Sequence, residues 1–411
     1  MASHNIGASV NVLHVMKWFP YPPNNGFCSD IWERMLSMRR LGCTIDLVVI
    51  APREEIEAEA LAKVQSVVRR LIIVSRRHWL KSAFRWTPTL VARNGNLAHL
   101  SLDDDYDLVL AESEHMMPIF DNPSLKVRRR VLRVHNDEAK YMWEIAGADN
   151  RPPWKAFFVA EAVRFLRFTR KAHKKVDEIW FISQREFDRF SGECRANQTT
   201  PFWLPASLGP EEAETARVVI PGMVLFVGSL GQPLNREGLR WYLREVHGQL
   251  ADDTQYHLVI AGNTGGTLAA NRFAREIRSQ YKCKVILDAE SLKDLYQTAQ
   301  VIINPMRRGS GVKIKTIHAL KAGIPLVTTT VGAEGSGFKD EDHLRVADSP
   351  NAFAVAIREI LDNPQRAAAR SERAIHHLRL MYDSDTNLRR IMANLQRGMN
   401  GIDAIEYLSV K

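Results

Sequence analysis

Four cations and two glycines fall within nine residues, Arg307-Arg308-Gly309-Ser310-Gly311-Val312-Lys313-Ile314-Lys315. Glycine lets the backbone turn tightly and approach a ligand closely, and the surrounding charges suit that ligand being an anion. Ile314, Ile317 and Leu320 then recur at helical spacing, and Gly323 and Pro325 stop the helix. The start of such a helix carries unpaired N–H groups and a positive dipole end, so a phosphate or diphosphate would bind here. A solvated basic turn between strand and helix is the other reading of the same residues.

The elements that must position this loop are legible as apolar, β-branched runs with helical stretches between them. In the first half they are Val10 to Met16, Thr44 to Ile50, Leu71 to Val74, Leu108 to Ala111, Val131 to Val134, Ile179 to Ile182 and Phe202 to Leu204. In the second half they are Val224 to Val227, His257 to Ala261, Lys284 to Leu287, Val301 to Asn304, Pro325 to Thr328 and Leu344 to Val346. Near-continuous apolar runs alternating with helices predict parallel sheets covered on both faces. Two sets predict two doubly wound domains, over 1–207 and 208–383, with Pro205 to Arg217 as linker and a helical tail over 384–411 that packs back on the first domain.

Ligands of doubly wound sheets bind beyond the carboxyl ends of the strands, so two facing domains make a cleft lined by strand-to-helix loops. In the first domain these are Lys17-Trp18-Phe19-Pro20-Tyr21-Pro22-Pro23-Asn24-Asn25-Gly26 and Arg133-Val134-His135-Asn136-Asp137-Glu138. In the second they are Gly228-Ser229-Leu230-Gly231, Ala261-Gly262-Asn263-Thr264-Gly265-Gly266 and Asp288-Ala289-Glu290-Ser291-Leu292. Asp103-Asp104-Asp105 precedes a strand, which predicts a solvated turn and not a metal site.

Composition narrows the classes further. The chain has 411 residues, 45% hydrophobic and 25% charged, which is an ordinary globular balance and excludes disordered and collagen-like classes. A net charge of +9 fits an anionic substrate, an acidic membrane surface or nucleic acid. Cys28, Cys43, Cys194 and Cys283 form no ligand spacing, so a reduced, cytoplasmic setting without structural zinc is expected. No apolar stretch approaches the roughly 18 residues that span a bilayer, and Met1 to Val10 lacks the basic start and apolar core of a signal peptide. Residues 154–175 mix Phe157, Phe158, Phe165, Leu166 and Phe168 with six cations, as a helix lying on anionic lipid would, or as a core-packed helix with a solvated face. No RNA- or DNA-binding motif accompanies them, so nucleic acid is not expected.

The order of Phe226-Val227-Gly228-Ser229, Pro233-Leu234-Asn235-Arg236-Glu237-Gly238-Leu239, Val259-Ile260-Ala261-Gly262, Asn304-Pro305 with Gly309-Ser310-Gly311-Val312-Lys313-Ile314-Lys315, and Gly332-Ala333-Glu334-Gly335 resembles glycosyltransferase family 4. Tyr21-Pro22-Pro23 with its glycine loop, and Val134-His135-Asn136, agree in the first half. The resemblance implies a GT-B fold, two Rossmann-like domains across a cleft, and retaining, metal-independent transfer of a sugar from a nucleotide-diphosphate donor, UDP- or GDP-linked, to a glycan or lipid-linked acceptor. No cofactor is implied beyond that substrate. It places His135, Lys313 and Arg308 at the reacting centre, although His135 also reads as a structural histidine bonding a neighbouring loop. The donor would be held by Asn25, Gly26, Gly228, Ser229, Asn263, Glu290, Leu292, Ser310, Gly311, Val312, Lys315 and His318. Trp18, Tyr21, Glu112 and His115 are candidates for the acceptor.

One position departs from the family. Many members carry a glutamate, bonding the nucleotide ribose, where this chain has His318; Lys315, three residues earlier, adjoins it on one helix face. A neutral imidazole cannot serve as a two-oxygen acceptor, which predicts an altered nucleotide grip. A nucleotide-sugar-binding GT-B protein with little catalysis and a nucleotide-sugar epimerase therefore stand beside the transferase. An enzyme assembling polysaccharide or glycolipid would work in the cytoplasm, touching the inner face of the plasma membrane through 154–175.

Overall fold

The computed structural model of the chain describes residues 10–23, 25–77, 86–148, 151–209, 217–289 and 291–397. Seven strands, β1 (Asn11–Met16), β2 (Thr44–Ile50), β3 (Arg70–Val74), β4 (Asp105–Glu112), β5 (Lys126–Val134), β6 (Glu178–Phe181) and β7 (Thr200–Trp203), form one sheet in the order β3-β2-β1-β4-β5-β6-β7. Six more, β8 (Met223–Val227), β9 (His257–Gly262), β10 (Lys284–Leu287), β11 (Val301–Asn304), β12 (Leu326–Thr328) and β13 (Arg345–Val346), form a second in the order β10-β9-β8-β11-β12-β13. Every pairing is parallel.

Both faces of each sheet are covered, which is why the strands read as unbroken apolar runs. Leu13 and Val15 of β1 enter the core on one face with Val109 and Phe181, while Val12 and Met16 enter the other with Met35 and Trp180. Each fully buried aliphatic side chain contributes about 1.5–3 kcal/mol. The second sheet is sandwiched likewise, Phe226 and Ile260 facing one core and Leu225 and Ala261 the other.

The last helix, Ser384–Arg397, lies against the first sheet's side of the molecule. Its Leu388, Ile391 and Met392 are buried with Val12, Met35 and Met38, and Asp385 accepts from Arg40 at 2.8 Å. The chain thus crosses between the sheets twice, at 204–209 and at Asp383, which bridges Leu208.

Two strands extend beyond their apolar runs. β5 begins at Lys126, because Lys126, Arg128 and Arg130 alternate with half-buried residues before the buried run. β4 begins at Asp105, so this aspartate opens the strand and does not precede it. Asp104 pairs with Arg69 and Arg70 at 3.2 and 3.4 Å. Among the described residues no helix is long and apolar enough to cross a membrane.

Candidate functional site

β11 ends at Asn304, and the next residues turn back through Gly309 (φ 135°) and Gly311 (φ 70°) into the helix Ile314–Lys321. Positive φ favours glycine, which explains both positions. Lys313 is curled into this loop, its Nζ donating to Gly311 O at 2.7 Å and to Ser310 O at 3.1 Å. Burial pulls the Lys313 ammonium down to about 8. The Ser310 hydroxyl is buried and bonds no described group. A buried cation held by carbonyls beside an unpaired hydroxyl fits an anion that would take over both.

The opposite wall comes from the first sheet. Asn25 caps the helix Gly26–Arg40, its Oδ1 accepting from Cys28 N at 3.0 Å. The two walls touch where side chains are absent. A Cβ on Gly26 would stand 2.8 Å from Ile314 Cβ, one on Gly311 would stand 2.6 Å from His135 O, and one on Gly335 would stand 2.5 Å from Ser183 Oγ. Side-chain bonds add to this closure. Ser29 Oγ meets His318 Nε2 at 3.3 Å, Lys140 reaches Glu334 at 3.2 Å, and Arg185 also pairs with Glu334.

His135 sits on this wall with its ring 4.7 Å from that of Phe27. Its Nε2 is 2.6 Å from Glu112 Oε2, and burial, which outweighs the raising effect of that carboxylate, lowers its pKa. Glu112 was a candidate for the acceptor, but it is fully buried and cannot meet one. Strand alternation turns it under His135. Burial works against its charge, yet Arg34 and the two imidazoles of His135 and His14 hold it well below the usual carboxylate range.

The other acceptor candidates separate. Trp18 is 43% exposed and lies edge-on to Phe27 at 5.1 Å, forming a lip beside His135. Tyr21 turns inward onto Trp32. His115 is buried with its Nδ1 3.3 Å from Lys17 Nζ, and burial, reinforced by that ammonium, holds its pKa well down. Beside it lies Glu114, which burial and the Glu138 carboxylate push up to about 8. Sequence reasoning missed Lys17, Glu114 and Glu138 as a cluster, because three loops bring them together.

The donor-side candidates divide too. Ser229 O accepts from Asn235 at 3.0 Å beside Gly228, and Asn263 O accepts from Leu230 N at 2.8 Å, so the loops after β8 and β9 are tied together. Asp288, missed as an individual residue, locks the next loop by accepting from Thr264 N at 2.8 Å and Oγ1 at 3.0 Å. Leu292 and Val312 pack partly buried on the second domain's core. Glu290 lies outside the described residues.

Two expectations are corrected. Arg308 is not inside the loop: Gly309 turns it outward, where it is 42% exposed and 3.4 Å from Glu237. Lys315 and His318 do not share a direction. Lys315 donates to Asn235 Oδ1 at 2.9 Å, and burial with the charge of Lys313 brings it down to about 7. His318 faces Ser29, and burial holds it down to about 4.

Residues 221–363 match the family described as Glycosyl transferases group 1. An uncharacterized 44.6 kDa protein in the cps region of Klebsiella pneumoniae is 29% identical over 354 residues, which are 82% of this chain and 87% of that protein. The crystal structure of TarM superposes with a TM-score of 0.69 at 10% identity, over 95% of this chain and 99% of that one. Sucrose-phosphate synthase from Thermosynechococcus elongatus gives 0.66 at 14% identity, over 94% and 98%. Anabaena HepE in complex with UDP gives 0.60 at 11% identity, over 94% and 100%. The fold is GT-B, and its second half carries a glycosyl transferases group 1 domain.

Proposed function

We propose that the protein is a retaining, metal-independent glycosyltransferase of family 4 type. It moves a hexosyl group from a UDP- or GDP-sugar to a glycan or lipid-linked acceptor, in the cytoplasm, during polysaccharide or glycolipid assembly. The observation that carries this reading is the buried Lys313 ammonium, held by the carbonyls of Ser310 and Gly311, within a loop whose Gly311 abuts His135 of the other domain. The group 1 domain over residues 221–363 supports it. So do the titles of two neighbours of the same fold, HepE and S. aureus TarM, each in complex with UDP.

In this mechanism the bond between the anomeric carbon and the β-phosphate oxygen breaks, and its electron pair leaves with the diphosphate. Lys313 and the N–H groups opening the helix Ile314–Lys321 stabilise that developing charge. The acceptor oxygen bonds to the anomeric carbon on the face the diphosphate leaves, and its proton passes to the departing phosphate oxygen. His135 lies against Gly311 and so borders the reacting centre. Arg308 acts from the rim, as long-range positive potential and not as a contact.

The test is incubation with a panel of nucleotide sugars, with and without a chelator. Nucleoside diphosphate release that the chelator spares, and retained anomeric configuration in the product, are expected. A thermal shift without release would replace this reading with that of a binding protein, and a new nucleotide sugar with that of an epimerase.

A further inference from the structure

Beneath His135 lies an island of charge that the transfer step does not itself use. Asp30, Arg34, Glu112 and Arg133 are each at most 1% exposed. Arg34 donates to both oxygens of Asp30 at 3.0 and 2.9 Å, and to both of Glu112 at 2.9 and 3.0 Å. Arg133 reaches Asp30 at 3.4 Å and also donates to the carbonyls of Leu204 and Pro205. Two carboxylates and two guanidinium groups balance, so an imidazolium at His135 would find no free counter-charge.

Glu112 is shared by two histidines. Its Oε1 is 2.5 Å from His14 Nε2 and its Oε2 is 2.6 Å from His135 Nε2. A carboxylate only accepts, so each Nε2 must carry the hydrogen. In a neutral His135 this leaves Nδ1 bare. Nδ1 is 3.8 Å from Asp30 Oδ2, too far for a hydrogen bond, and no described residue bonds it. The two histidines differ in access: His14 is sealed, at 0% exposed, whereas His135 is 8% exposed where the two domains meet.

We propose that Glu112 is a positioning residue for glycosyl transfer, fixing His135 as its Nε2–H tautomer and leaving Nδ1 as the acceptor for a hydroxyl of the donor sugar. The catalytic part rests on the transferase reading; the tautomer does not. Glu112 touches no substrate. It acts by denying His135 the ring flip and the second tautomer that a solvated imidazole has.

The test uses the full chain labelled with nitrogen-15 at histidine, His135 being assigned by its loss in His135→Gln. Long-range proton–nitrogen correlation of the wild type between pH 6 and 8 is expected to show His135 protonated at Nε2 alone. A wild-type Nδ1–H signal overturns the proposal without any variant. Glu112→Gln offers one carbonyl and one NH2 to two imidazoles, so it should mix the His135 tautomers. It should lower kcat by about ten- to a hundredfold with donor KM nearly unchanged, as expected when an orienting partner of an active residue is lost. Glu112→Asp should restore part of the rate. Nucleotide-induced thermal shifts confirm that the variants are folded. Full kcat in a folded Glu112→Gln overturns the positioning role. Absence of sugar transfer by the wild type would overturn the transferase reading and the catalytic part with it, while the spectrum still decides the tautomer.

Discussion

Ser29 Oγ lies 3.3 Å from His318 Nε2, joining the helix that opens the first domain's wall to the helix behind the cationic loop. His318 stands where the family resemblance places a ribose-binding glutamate. Burial, with the charge of Lys321, keeps its pKa down to about 4, so it is neutral near pH 7 and has one donor and one acceptor. One of the two is spent on Ser29. His318→Glu would supply an acceptor for Ser29 and for both ribose hydroxyls, and should tighten nucleoside diphosphate binding by about three- to tenfold in isothermal titration. Unchanged affinity would remove the ribose role.

Lys313 and Lys315 give the site a pH dependence of fixed sign. Burial brings the two down to about 8 and about 7, so in the free protein their charge is lost as pH rises through that range. Diphosphate affinity should fall between pH 7 and 9, by roughly tenfold in the absence of compensating groups. Lys313→Arg, which stays charged, should flatten this profile. A wild-type affinity that rises with pH would show that neither lysine faces the anion.

Gly311 combines a φ of 70° with a closed approach: an added Cβ would stand 2.3 Å from Asn136 Oδ1 and 2.6 Å from His135 O. The conformation alone costs Ala about 1 kcal/mol, which a domain of this size tolerates. The contact is a different matter, since both obstacles belong to the other wall. Gly311→Ala should therefore fold, bind nucleotide, and scatter X-rays as a more open molecule, with turnover reduced by about a hundredfold or more. Wild-type turnover would mean that this approach is not needed for transfer.

The strands were readable because both faces of each sheet are buried; the apolar runs of β2, β10 and β11 coincide with the observed bounds. β5 was read short because Lys126, Arg128 and Arg130 give its first half one solvated face, a pattern that an apolar-run criterion passes over. At the site, glycine positions carried over well, since Gly26, Gly311 and Gly335 are where backbones of the two domains approach. Side-chain direction did not. Glu112 ends a strand at the cleft, yet its partners His14, Arg34 and His135 come from three other segments, and only the Asp30–Arg34 pair, four residues apart on one helix, had a local signature. Arg308 was misplaced because the turn at Gly309 decides where its guanidinium goes.

Buried histidines should make the fold acid-sensitive. His173 is 2% exposed, its Nε2 bonds no described group, and burial holds it down to about 4. A folded pKa below the unfolded value of about 6.5 means full stability above pH 6.5 and progressive loss as pH falls toward 4, on the order of 1.4 kcal/mol per pH unit for one group. His173→Phe replaces an unpaired imidazole among Phe181 and Phe190 by a ring of similar shape. It should raise Tm at pH 5 and make the decline of Tm with acid shallower. An unchanged slope would assign the acid sensitivity elsewhere.

The helix Pro152–His173 presents Val163, Leu166, Arg167 and Arg170 outward, with Lys174 just beyond its end and Trp154, 50% exposed, near its start. Phe165, by contrast, is fully buried, so the helix is held by its inner face and its outer one is left both apolar and cationic. Trp86, 84% exposed with Arg167 5.8 Å from its ring, widens that face. Apolar side chains of this kind enter the headgroup layer, and each nearby Lys or Arg adds about 1 kcal/mol on an anionic surface. The protein should therefore sediment with anionic phospholipid vesicles at low salt, remain free of neutral ones, and be released as salt screens the attraction. Leu166→Glu and a paired Arg167→Glu, Arg170→Glu should each weaken binding by about tenfold or more while leaving nucleotide affinity unchanged. Equal sedimentation with neutral and anionic vesicles would mean that the cations of this helix do not meet a membrane.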